Sequence, residues 1–168
     1  VKGEQTIRWI NVQGKAVRPK SNKSLTNIDE VNAIIKELSR LKDSNYEGSI
    51  GVVTPYRAQA TLIDRELHRD ENLYNWFVMN RGGAINTVHL FQGDERDIIL
   101  ISIGYGKDSS GKLSYHFGPL NREGGYKRLN VAITRSRFKT VVISSILPDD
   151  LDEDKINVDG VRYLKYYL

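Results

Sequence analysis

"YKRLNVAITRSRFKTVVISS", residues 126–145, carries two periodicities in one stretch. Residues 126–137 suit a helix, with Leu129, Val131, Ala132 and Ile133 as core positions. Thr140 to Ile143 is a short β-branched run, the composition of a buried strand. A helix leading directly into a buried strand is half of a βαβ unit. Lys127, Arg128, Arg135, Arg137 and Lys139 crowd the same stretch. Burying one face of that helix against a sheet would fix the angle at which an arginine leaves it, and positioned catalysis needs a fixed angle.

The pattern repeats outward from there. "TIRWINV" (6–12) reads as a strand. Asn27 and Glu30 have the spacing of a capping box. Val31, Ile34, Ile35, Leu38 and Leu41 then hold helical spacing. "SIGVVT" (49–54) is an apolar run of the parallel-strand kind. Thr54 and Pro55 stand where an N-cap and first helical residue belong, before the helical "YRAQATLIDRELHRD". "AINTV" (84–88) and "DIILISIG" (97–104) are two further strands. Residues 105–125 read as a loop, with room for a small hairpin, and 147–160 as an acidic surface segment. Strands alternating with helices predict an α/β fold, a parallel sheet covered by helices on both faces. Ligands of such sheets bind at the carboxyl ends of the strands.

Composition narrows the possibilities. The 168 residues fit a single domain over 1–168. There are no cysteines, which excludes disulfides and thiolate zinc sites and suits a reducing, cytoplasmic setting. His68, His89 and His116 lack ligand spacing, so no metal site is expected. No apolar run is long enough for a membrane span, and no signal peptide is visible. Lys plus Arg exceeds Asp plus Glu, 25 against 21, a mild excess that permits a nucleic-acid partner. The start at Val1 and the end inside the helix-like "VRYLKYYL" read as a piece of a longer protein.

"GKDSSGK" (106–112) matches a phosphate-loop spacing. The residue after its lysine, however, is Leu113 rather than the Ser or Thr that holds magnesium. No helical periodicity follows that could aim N–H groups at a phosphate. This stretch therefore reads as a turn-rich loop, and the chain lacks a phosphate cradle of its own.

Three stretches in order, "IGVVTPYRAQ" (50–59), "INTVHLFQGDERDIILIS" (85–102) and "RLNVAITRSR" (128–137), resemble motifs IV, V and VI of superfamily 1 helicases. The branch is the one that contains the nonsense-mediated-decay helicase and its bacterial relatives. The resemblance implies a P-loop NTPase-like, RecA-like second motor domain. ATP, with Mg2+ held mainly by the upstream RecA-like domain of the same chain, would bind between the two domains. Single-stranded DNA or RNA would be the track, and the isolated piece would be inactive.

The resemblance also implies residue roles. Arg135 is the arginine finger to the γ-phosphate, with a surface ion pair as its alternative. Arg57 is a second γ-phosphate contact or a solvent arginine; a cation at a helix N-terminus is unfavourable without such a reason. Tyr56 would stack on adenine or pack at a strand end. Gln92, Gly93 and Glu95 would shape the nucleotide pocket. Thr54, Thr87 and His89 would grip the nucleic-acid backbone, although the family usually has a small or acidic residue at the position of His89. Arg137, placed on the helix, reads as structural or as a nucleic-acid or domain-interface contact, and Asp97 as a tie to a helix or an arginine. A competing reading is a non-catalytic nucleotide- or nucleic-acid-binding module with a doubly wound fold.

Overall fold

The structure, a computed structural model, describes residues 5–18, 24–88, 90, 95–115, 124–155, 162 and 165. Its strands are β1 (Thr6–Asn11), β2 (Ile50–Thr54), β3 (Ala84–Thr87), β4 (Arg96–Ser102) and β5 (Ser136–Ser144). Its helices are α1 (Ile28–Asp43), α2 (Arg57–Leu67), α3 (Glu71–Asn75) and α4 (Gly125–Ile133), with a π-helical turn over Trp76–Asn80. The strands form one sheet in the order β1-β5-β4-β2-β3, and every neighbouring pair is parallel. The α/β, RecA-like architecture expected from the alternation is therefore present.

Side-chain alternation along the strands divides the core into two layers. Ile98 and Leu100 of β4 face one side with Ile50, Val52, Val141 and Ile143. Helices α1, α2, α3 and the π-helical turn cover that side through Val31, Ile34, Leu38, Ile63, Leu67, Leu73 and Phe77. Ile99 and Ile101 face the other side with Val53 and Val142, under Leu129, Ala132 and Ile133 of α4. All five residues of β2 are buried, as a strand covered on both faces requires. Edge strand β1 is exposed along most of its length. Among the described residues no helix is long and apolar enough to cross a membrane.

Two boundaries differ from the sequence reading. Helix α2 begins at Arg57, because Thr54 is still paired with Thr87 in the β2–β3 ladder and Tyr56 is extended at φ −112°. Helix α4 stops at Ile133, four residues short of the expected end. Ladder pairing of Ser136 with Arg96, and of Lys139 with both Ile98 and Thr6, recruits that segment into β5. Here tertiary pairing overrides local helical preference. Of "VRYLKYYL", Arg162 and Lys165 are helical and the rest lies outside the described residues.

Candidate functional site

The candidate residues fall into separate regions of the sheet. Arg135 lies in the two-residue turn between α4 and β5, at the amino ends of β4 and β5. The Arg96 N–H donates to the Arg135 carbonyl at 3.4 Å, and the Arg135 N–H donates to the Ala132 carbonyl at 3.2 Å. A strand of the length of β4 spans about 20 Å, so Arg135 leaves the sheet far from the carboxyl ends, where strand-following residues were expected. Its side chain, half-buried, lines a cavity of about 400 Å³ with Lys127, Arg128, Val131, Gly124 and Val88. No carboxylate is among those lining residues.

Arg137 is on β5 rather than on a helix. Its Nε lies 3.5 Å from Glu95 and its Nη1 3.6 Å from Asp97. Asp97 in turn accepts from the Ser49 N–H at 2.8 Å and the Ser49 hydroxyl at 3.0 Å, tying β4 to the start of β2. Arg137 is therefore a structural tie, and Glu95 is one of its two partners. Both Arg137 and Glu95 are about half exposed, 56% and 50%, so Arg137→Ala should lower stability by at most about 1 kcal/mol in urea denaturation. Among the described residues, the Arg135 guanidinium has no such ion pair.

At the other end, Arg57 opens α2 and is exposed. It lines a cleft of about 470 Å³ with Thr61, Asp64, Tyr74, Asn86 and Thr87. Thr87 is the last residue of edge strand β3. The sheet separates this cleft from Arg135, since α2 covers one face and α4 the other. The structure thus brings Arg57 together with Thr87, not with Arg135.

Two residues are placed against their expected contacts. Thr54 is fully buried, and its hydroxyl accepts from the Tyr56 N–H at 3.5 Å. Tyr56 is only 3% exposed, packed in the core layer beneath α4, and burial raises its phenol far above the usual range. As placed, both side chains pack in the core rather than opening to solvent. Gln92, Gly93 and His89 lie outside the described residues.

Glu30 makes a buried centre that sequence reading misassigns. Asn27 does cap α1, accepting from the Glu30 N–H at 3.2 Å. The Glu30 carboxylate does not return to Asn27, whose N–H donates to Gln59 Oε1 at 2.8 Å. It reaches across to the carboxyl ends of the strands, where Oε2 accepts from the Ser102 hydroxyl and the Gly104 N–H, each at 2.6 Å. Its Oε1 accepts from the Ser145 N–H at 2.9 Å. Gly104 has φ +72°, and an added Cβ would stand 3.1 Å from the Tyr56 ring, so only glycine suits the position. Burial pushes the Glu30 carboxyl up to about 7 against the pull of these donors. The chain thus supplies its own acceptor for these donors at the strand ends. The "GKDSSGK" loop is closed on itself instead, with the Ser110 and Lys112 N–H groups donating to Asp108 Oδ1 at 2.9 and 3.0 Å. Among the described residues no group of three or more acidic or histidine side chains could hold a metal ion.

Residues 1–146 match the family described as AAA domain. The uncharacterized ATP-dependent helicase MG140 of Mycoplasma genitalium is 30% identical over 155 residues, covering 87% of this chain and 14% of that protein. Helicase sen1 of Schizosaccharomyces pombe is 34% identical over 145 residues, covering 83% of this chain and 8% of that protein. The uncharacterized ATP-dependent helicase MJ0104 of Methanocaldococcus jannaschii is 30% identical, covering 96% of this chain and 21% of that protein. The chain therefore spans about a fifth or less of the length of these relatives. Among solved structures, the C-terminal domain of a possible DNA helicase from Lactobacillus plantarum aligns with a TM-score of 0.48 at 10% identity, covering 83% of this chain and 73% of that one. The family match over most of the chain decides the family: the chain belongs to the AAA-domain family.

Proposed function

We propose that this chain is the second motor domain of an ATP-dependent superfamily 1 helicase acting on DNA or RNA inside the cell, with Arg135 as its arginine finger. The observation that carries this reading is the contrast between neighbouring arginines. Arg137 is engaged by Glu95 and Asp97, whereas among the described residues Arg135 makes no ion pair and lines a cavity with Lys127 and Arg128. A guanidinium held there can offer paired N–H donors to phosphate oxygens as charge grows on them during transfer. Glu95, with Gln92 and Gly93, would shape the nucleotide pocket. The names of the relatives support ATP as the substrate.

The half-site reading has a direct test. Residues 1–168 alone should show negligible ATPase activity, because the phosphates and Mg2+ would be held by an upstream RecA-like domain. Robust hydrolysis by the isolated chain, measured as phosphate release, would sink it.

Arg57 and Thr87 are assigned to the nucleic-acid strand. A cation and a hydroxyl side by side suit phosphate oxygens and read no base. In the full-length protein, Arg57→Ala should weaken single-strand binding about equally for all sequences and lower the salt slope by about 1. Unchanged affinity across a salt titration would remove Arg57 from the strand path.

A further inference from the structure

We infer that Gln5, acting with Ser136 and Thr140, is a positioning device for Arg135. This rests on the arginine-finger reading and adds a residue from the far end of the chain to it.

The argument begins with how α4 ends. Helix ends leave carbonyls without partners, and a left-handed glycine just beyond the end commonly answers them. Helix α4 has none: Thr134 follows Ile133 at φ −89° and ψ 0°. The Ile133 carbonyl is answered by side chains instead. Thr140 Oγ1 donates to it at 2.8 Å, and Gln5 Nε2 donates to it at 2.8 Å. Gln5 Nε2 also donates to Ser136 Oγ at 2.6 Å, and Ser136 Oγ lies 2.7 Å from Thr140 Oγ1. Directions follow from proton counts. The Thr140 hydroxyl proton is used on Ile133, so the Ser136 hydroxyl must donate to Thr140. The Gln5 amide has two hydrogens, matching its two shortest contacts; its approach to Thr140 Oγ1 is longer, at 3.3 Å.

The result is a closed ring of hydrogen bonds around the residues that flank Arg135. Thr140 is fully buried and Ser136 is 7% exposed, so two of the members are shielded from water. Gln5 comes from the residue before β1, 128 positions from Ile133. Edge strand β1 is otherwise exposed and contributes little to the core. Its amide closes the ring, and with it the angle at which Arg135 departs. A bare structural role would satisfy the same carbonyl, so the distinguishing property is coupling to Arg135. A shift of about 1 Å at such a group can lower a rate about a hundredfold.

The test is a double-mutant cycle in the full-length protein, reading kcat and KM for strand-stimulated ATP hydrolysis. Gln5→Leu should lower kcat about 10- to 100-fold, leave KM for ATP within about twofold, and cause no further loss when Arg135 is already alanine. Thr140→Val should behave the same way, and Thr140→Ser, which keeps the hydroxyl, should restore most of the rate. Gln5 is half-buried at the start of an edge strand, so its variants should fold. An unchanged kcat in Gln5→Leu and Thr140→Val, or an equal loss with and without Arg135, overturns the positioning role. An unchanged kcat in Arg135→Ala instead overturns the finger itself, which separates the two failures.

Discussion

Arg135→Ala in the full-length protein is expected to lower kcat for strand-stimulated ATP hydrolysis by about a thousandfold or more, the range typical of a lost arginine finger. KM for ATP should change little, because the contact would strengthen only as charge develops in the transition state. Arg135→Lys should recover little of the loss. An ammonium is a compact charge on a flexible stem and cannot present the paired donors of a guanidinium. The cavity argument adds a control. Lys127 and Arg128 line the same space, so their alanine variants should weaken ATP binding more than the chemical step. Steady-state kinetics with and without single-stranded nucleic acid measure all of these. Wild-type kcat in Arg135→Ala would reduce Arg135 to a turn residue and favour the binding-module reading.

Glu30→Ala is expected to cost the fold about 3 kcal/mol near neutral pH. The variant leaves the Ser102 hydroxyl and the Gly104 and Ser145 N–H groups buried without their acceptor, at about 1–3 kcal/mol each. Relief of the buried charge offsets part of that loss, but not three orphaned donors. Against a typical total of about 5–15 kcal/mol, such a change is visible in a single urea titration.

The same carboxyl gives the stability a pH dependence. Its folded value is about 7 and its ordinary value 4.5, so between them the folded chain holds a proton that the unfolded chain has released. Glu30 therefore contributes most below pH 4.5, and its contribution falls by about 3 kcal/mol as pH rises to about 7. Other groups superimpose their own slopes, so the comparison is with Glu30→Gln, which keeps the volume without titrating. A wild-type slope in this window that matches the Glu30→Gln slope would show that the carboxylate is already ionised throughout.

Much of the architecture was legible in local patterns. The runs 49–54, 97–104 and 140–143 carry β-branched and apolar residues at strand length, and residues 50–54, 97–102 and 140–143 of them lie in the sheet. Val31, Ile34, Leu38 and Leu41 announced the buried face of α1 by spacing alone. The motif resemblance marked Arg135 before any geometry. It could not place it, because the α4–β5 boundary depends on which strands are available to pair with residues 136–139.

The capping-box reading departs from the structure for a physical reason. Asn27 and Glu30 look like a local capping box, and half of one forms. The carboxylate instead answers donors 72, 74 and 115 residues away, because they are buried and nothing nearer meets their need. Thr54 ends β2 and Tyr56 follows it, and both side chains are buried. Arg57, read as a second γ-phosphate contact or a solvent arginine, lines the cleft that holds Thr87.

The sequence by itself determined the elements, the parallel sheet, the family and the arginine worth testing, since periodicity and short motifs are properties of neighbouring residues. Only the tertiary structure decided which ends of the strands carry Arg135 and Arg57, which carboxylates are already committed, and that Gln5 reaches the Arg135 turn. Those outcomes rest on hydrogen bonds and burial between residues about a hundred positions apart, and side-chain donors find their acceptors only after the sheet has brought them together.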